Sequence, residues 1–215
     1  KESVLSESTR ARAQKLSDPK QDDASKKSQY VIVLDAGHGG KDEGAVSDDG
    51  KLEEKEYNLA VVKEIARLLE QSGVKVYCTR TTDRTVSKKA RVRLANKRQA
   101  DMLVSVHCNA SDARKHSVRG IEVLYSKRDN GAGYTNKQLA AKLLKKTVAA
   151  TGLPARGVIR REDLYLMHHA KVPAVIVETG YLTNPSDCLY MRQEKGIRQT
   201  AWGIYQAVME TLEKY

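Results

Sequence analysis

Phenylalanine is absent from this chain, tryptophan occurs once, and aromatic residues make up only 5% of it. A nucleic-acid surface wants exposed aromatics or a recognition motif among its basic residues. Neither is present, so no nucleic-acid partner is expected. Cysteine is scarce too: three thiols without CxxC spacing are too few for a disulfide framework. Cys78 and Cys108 lie in apolar, strand-like stretches where a buried free thiol is expected, and Cys188 follows a turn. No apolar run approaches the length of a membrane span. The numbering opens at Lys1 without Met or an apolar leader, which leaves an export signal or anchor ahead of it open.

What is present describes one α/β domain with a full core: 215 residues, 40% hydrophobic and 30% charged. The 38 basic residues outnumber the 27 acidic ones, for a net charge of +11. Such a field favours an anionic polymer as partner, and an anionic cell wall fits as well as any. Residues 1–29 are rich in Ser, Lys, Asp and Gln, lack aromatics and carry no sustained apolar stripe. They read as a linker or tether, with the folded domain running from Tyr30 to Tyr215.

The informative stretch is VIVLDAGHGGKDEGA, Val31 to Ala45. Its first four residues suit a strand buried on both faces, and Gly37, Gly39 and Gly40 then remove side chains where the backbone must turn. His38 stands among them at the carboxyl end of that strand, the edge where open α/β sheets bind ligands. The arrangement recurs twice. DMLVSVHCNAS puts His107 at the end of an apolar strand, and VPAVIVETGYLTNP puts Glu178 at the end of another. LEEKEYNLA supplies Glu53, Glu54 and Glu56 where an amphipathic helix begins. Two histidines, a carboxylate and a separate glutamate are the parts of a catalytic zinc site.

Between these motifs the pattern alternates strand and helix. Leu59, Val62, Ile65, Ala66 and Leu69 recur at helical spacing up to Gly73, and VKVYCTR is a strand. A basic helix follows with Val92, Leu94 and Ala95 inside, and RGIEVLYS is a strand. Leu139 to Val148 form a helix ending near Gly152, and Ile197 to Leu212 form another. Between them LPARGVIRREDLYLMHHAKVP reads as a loop with one short strand at Asp163 to Met167. The sum is a three-layer α/β sandwich with a mostly parallel mixed sheet of about six strands.

Each signal has a plainer reading. GHGGKDEG matches neither the dinucleotide pattern nor a P-loop, which argues against a nucleotide. Either histidine alone would be an ordinary structural one; two of them ending strands on one sheet edge, with a glutamate in reach, favour a metal. Glu53 and Glu54 point about 100° apart on a nascent helix, so only one can face it. A carboxylate directly after the apolar run Ala174 to Val177 is expensive to bury without a task. His168 and His169 are neighbours, belong to a loop near the site and stay out of the metal set. His116 is read as solvated. Arg91, Arg93, Lys97 and Arg98 are read as a solvated basic face, and Arg80 as a structural residue that Asp83 could orient.

Taken in order, LDAGHGGKDEGA, LEEKEYNLA, YCTRTTD, RVRLAN, SVHCNAS and VPAVIVETGYLTNPSD resemble the zinc-dependent N-acetylmuramoyl-L-alanine amidases of the Amidase_3 family. The resemblance runs from about Tyr30 to the C-terminus. It implies a peptidoglycan hydrolase acting outside the cytoplasm, which cuts between the lactyl group of N-acetylmuramic acid and L-alanine of the stem peptide. It implies Zn2+ held by His38, Glu54 and His107, the glutamate being the one directly before Lys55, and a catalytic Glu178. Asn109, just after His107, is a candidate for holding substrate. A monomer is expected, with a regulatory or targeting protein as an additional partner. Two other readings compete: a non-catalytic wall-binding or regulatory module on the same fold, and a zinc deacetylase acting on wall sugars.

Overall fold

The computed structural model describes residues 30–111, 116–128 and 130–214. The linker read at residues 1–29 lies outside them. Six strands form one sheet: β1 (Val31–Ala36), β2 (Lys75–Cys78), β3 (Met102–Asn109), β4 (Ile121–Tyr125), β5 (Ala155–Arg160) and β6 (Ala174–Tyr181). Their spatial order is β2-β1-β3-β6-β4-β5. The first four in that order run parallel. β4 lies antiparallel to β6, and β5 runs parallel to β4. The mixed, mostly parallel six-stranded sheet expected from the sequence is therefore present.

Six helices complete the described fold: α1 (Glu54–Gln71), α2 (Lys88–Arg98), α3 (Asn136–Thr151), α4 (Tyr165–His169), α5 (Pro185–Met191) and α6 (Glu194–Lys214). One face of the sheet carries the larger core, where Ile32, Val104 and Val177 meet Ile65 and Leu69 of α1, Leu143 of α3 and Ile204 of α6. The other face carries a smaller core, in which Val33, Leu103 and Ile176 meet Val92 and Ala95 of α2 and Leu166 and Met167 of α4. Alternation along a strand decides which residues go where. On β3, Met102, Val104 and Val106 enter the larger core, and Leu103 enters the smaller one. Ser105 and His107 share the face of Leu103, so the chemistry lies on the side covered by α2 and α4.

Two expectations are corrected. The strand placed at Asp163 to Met167 is a helix from Tyr165 on, and the strand of this region is Ala155–Arg160. β5 pairs with one neighbour only and is mostly exposed, so it needs few apolar residues and shows no apolar run. The run Leu164 to Met167 is too short for periodicity to separate helix from strand. His168 and His169 accordingly end α4 rather than lie in a loop.

Candidate metal and catalytic site

β1, β3 and β6 are neighbours, and their carboxyl ends bring the three singled-out strand ends together. After Ala36 the chain turns through Gly37, whose N–H donates to the Val106 carbonyl at 3.0 Å. A Cβ at Gly37 would lie 2.3 Å from Cε1 of His107, so only glycine leaves room for that ring. His38 takes a left-handed backbone (φ 59°), uncommon for a non-glycine residue, and this turns its imidazole back over the sheet edge. Asp42 Oδ1 meets His38 Nδ1 at 2.8 Å, leaving Nε2 to face inward.

Glu54, the first residue of α1, reaches across that edge. Its Oε1 lies 3.2 Å from His38 Nε2 and 3.0 Å from His107 Nδ1. The same oxygen accepts the Cys108 N–H at 3.0 Å, and Oε2 accepts the Ala45 N–H at 2.9 Å. The three side chains offer ligand atoms all within 4.8 Å of one another. Two imidazole nitrogens and a carboxylate oxygen, with His38 oriented by a second carboxylate, fit the donor set and outer support of a divalent transition-metal site. Glu53 turns away and pairs with Lys55 at 3.1 Å.

Burial alone would discourage charge here, but the partners outweigh it. The two imidazoles hold the Glu54 carboxyl far below its ordinary range despite its burial. Burial likewise pulls His38 down, yet Glu54 and Asp42 together push it up to about 9. His107 is raised in the same way, against its burial, by the bond to Glu54 and the charge of Glu178.

Glu178 is the in-register partner of His107 on the adjacent strand, so both project on one face. Its Oε2 is buried and has no hydrogen-bond partner among the described residues. Burial raises its pKa to about 7, helped by the charges of Glu54 and Glu122 and opposed by the two imidazoles. The cleft above it is walled by Val86, Arg91, Leu164, Tyr165 and Ile176. A carboxyl that titrates near neutrality beside a metal-ligand set is suited to exchanging protons with a reacting group. Asn109 lies beyond the cluster and donates from Nδ2 to Tyr181 Oη at 3.1 Å and Glu122 Oε2 at 3.3 Å.

The sequence reading missed what holds the His38 loop. Asp35 is buried and accepts from Arg91 Nη1, Thr79 Oγ1 and Ser105 Oγ, each at 2.6 Å. Burial pushes its pKa up, but Arg91 and the two hydroxyls bring it below the ordinary value. Arg91 also donates to the carbonyls of Ala36 at 2.6 Å and His38 at 2.7 Å. It is therefore a buried clamp rather than part of a solvated face. Arg80, also buried, donates to the carbonyls of Ala36, Gly37 and Lys55. Asp83 does not hydrogen-bond it and instead accepts from Gly40 N–H and pairs with Lys55. A signal was present: Arg91 stands four residues before the inward Ala95, hence on the same helix face, and Asp35 shares the buried face of Val33. His168 and His169 are exposed and outside the ligand group. His116 is half-exposed but held, meeting the Thr183 carbonyl at 3.1 Å and Asp48 at 3.1 Å.

The profile of a family described as N-acetylmuramoyl-L-alanine amidase, Amidase_3, matches residues 32–210. The chain is 36% identical over 163 residues to the N-acetylmuramoyl-L-alanine amidase LytC of Bacillus subtilis, covering 76% of itself and 32% of that protein. It thus spans about a third of LytC. Among solved structures it resembles the catalytic domain of CwlV, an N-acetylmuramoyl-L-alanine amidase of Bacillus (Paenibacillus) polymyxa var. colistinus. That match has a TM-score of 0.79 and 33% identity, over 86% of this chain and 99% of that one. The CwlD amidase of Clostridioides difficile, solved in complex with the GerS lipoprotein, matches with a TM-score of 0.77 and 30% identity. Coverage there is 86% of this chain and 98% of that one.

Proposed function

The chain belongs to the N-acetylmuramoyl-L-alanine amidase family Amidase_3, and on that premise we propose that it hydrolyses bacterial peptidoglycan. The bond cut is the amide between the lactyl group of N-acetylmuramic acid and L-alanine of the stem peptide. His38, Glu54 and His107 would hold a zinc ion. When bound, zinc supplies Lewis acidity to the scissile carbonyl and to the attacking water. Asp42 keeps the His38 ring turned so that Nε2 is presented. Glu178 takes a proton from the attacking water and returns it to the departing L-alanine nitrogen. The apolar wall of Val86, Leu164 and Ile176 limits water around it.

The observation that carries this reading is Glu178 itself: a carboxylate oxygen buried with no partner among the described residues, beside a His–Glu–His set. A wall-binding module needs no such group, and retaining one has a cost. The substrate lies outside the cytoplasmic membrane, so we place the action there; no helix among the described residues is long and apolar enough to cross a membrane. The +11 charge favours adsorption to an anionic wall and makes it salt-sensitive. A regulatory or targeting protein is proposed as a second partner, on the precedent of the lipoprotein bound to the CwlD relative.

The test is incubation with purified peptidoglycan, with and without a chelator, followed by mass spectrometry of the soluble products. Free stem peptides with an L-alanine amine, lost on chelation and restored by zinc, are expected. Released acetate would mark a deacetylase instead, and walls left intact under every condition would favour the binding module.

A further inference from the structure

β4 runs antiparallel to β6, which brings the start of β4 beside the end of β6. Glu122 therefore lies directly across from Glu178. Like charges facing each other across strands are unfavourable, and Glu122 does push the proton affinity of Glu178 up. Glu122 is nonetheless largely buried, with 15% of its side chain exposed. Three other strands converge to hold it. Its Oε1 accepts Arg156 Nε of β5 at 2.6 Å and Tyr181 Oη of β6 at 2.7 Å, and its Oε2 accepts from Asn109 of β3.

Arg156 gains the most from this arrangement. Its guanidinium is fixed at Nε by Glu122 and lies over the Tyr181 ring, 5.4 Å from the centroid. Yet 39% of its side chain faces solvent. An exposed Arg–Glu pair contributes little to stability and usually leaves both side chains mobile. Here the pair is anchored by two further residues beside the proposed proton-transfer group. A pre-positioned guanidinium with an open side is a receptor for a carboxylate. β5 stands two strands from β6, about 10 Å at ~4.8 Å per strand. An extended peptide covers that in about three residues, and the leaning of Arg156 toward β4 shortens it.

We infer that Arg156, positioned by Glu122, Tyr181 and Asn109, binds a carboxylate on the second or third residue of the stem peptide and so selects among walls. This rests on the amidase reading. It gives Asn109 a supporting rather than a direct part in holding substrate. Selectivity arises because a carboxamide at that position offers the guanidinium no charge.

The experiment uses synthetic N-acetylmuramoyl tripeptides with a free carboxylate or a carboxamide at the second residue. A second pair carries or lacks an additional carboxylate at the third. The wild-type chain is expected to favour the carboxylate form of one pair by about 10- to 100-fold, mostly in KM, the range of one charge-assisted contact. Arg156→Ala should erase that preference, read as the ratio of kcat/KM between the two peptides of a pair, and Arg156→Lys should keep part of it. The double variant Glu122→Gln, Arg156→Gln leaves no unpaired charge, so it separates lost recognition from lost folding. A preference that survives Arg156→Ala, or an equal loss on all four peptides in the double variant, overturns the inference. If no peptide is cleaved by the wild type, the amidase reading fails. Calorimetric binding of the same peptides then decides the carboxylate preference by itself.

Discussion

Replacing Glu178 by glutamine removes a proton acceptor while keeping volume and shape, and the structure predicts effects on both rate and stability. Loss of the proposed general base should cost about 10²–10⁴-fold in kcat, and metal content should stay at the wild-type level, because Glu178 is outside the ligand group. The second effect follows from the raised pKa, about 7 against an ordinary 4.5. Between those values the folded protein keeps a proton that the unfolded chain has released. The unfolded state binds fewer protons there, so stability falls as pH rises through that window. At about 1.4 kcal/mol per pKa unit the loss reaches roughly 3 kcal/mol at most. Glutamine does not titrate, so the variant escapes this loss. Urea denaturation of chelated protein at pH 4.5 and pH 8 measures it: the difference in stability between variant and wild type should move in the variant's favour by up to about 3 kcal/mol. Comparing differences cancels the titrating groups that do not interact with Glu178. Identical pH dependence in the two proteins would refute the buried, proton-retaining Glu178, and full activity in the variant would refute its role.

Gly37→Ala should leave the fold cooperative but displace the His107 ring, because the added methyl would lie 2.3–2.6 Å from three ring atoms. Zinc content after dialysis against a weak chelator should fall well below that of the wild type, and unchanged retention would show that the loop yields freely. Arg91→Met leaves Asp35 charged and buried with two hydroxyls alone, which should cost about 3–5 kcal/mol in urea denaturation at neutral pH. A change under about 0.5 kcal/mol would instead return Arg91 to the solvated face that the basic helix pattern suggests.

Much of the fold was legible because its signals are local. Apolar runs marked β1, β3 and β6, with a glycine at the end of the first and the last, and a 3.6-residue stripe marked α1, α3 and α6. β5 was not legible, since an edge strand with one partner is held by pairing more than by apolar burial. α4, five residues long, offers less than two turns of pattern. At the candidate site, His38, His107 and Glu178 could be singled out by their position at strand ends. The resemblance had chosen Glu54 over Glu53; in the structure, Glu54 turns toward the imidazoles and Glu53 toward Lys55.

The sequence by itself determined which segments become strands and which side chains end them, because alternation and helical period act over a few residues. Tertiary structure alone decided the pairings between distant segments. Asp35 meets Arg91 across 56 positions, and Glu122 meets Arg156 across 34, in the shadow of Glu178. Strand order and the antiparallel reversal of β4 set these meetings. Those features minimise the energy of the whole sheet and its two cores, and no window of neighbouring residues encodes them.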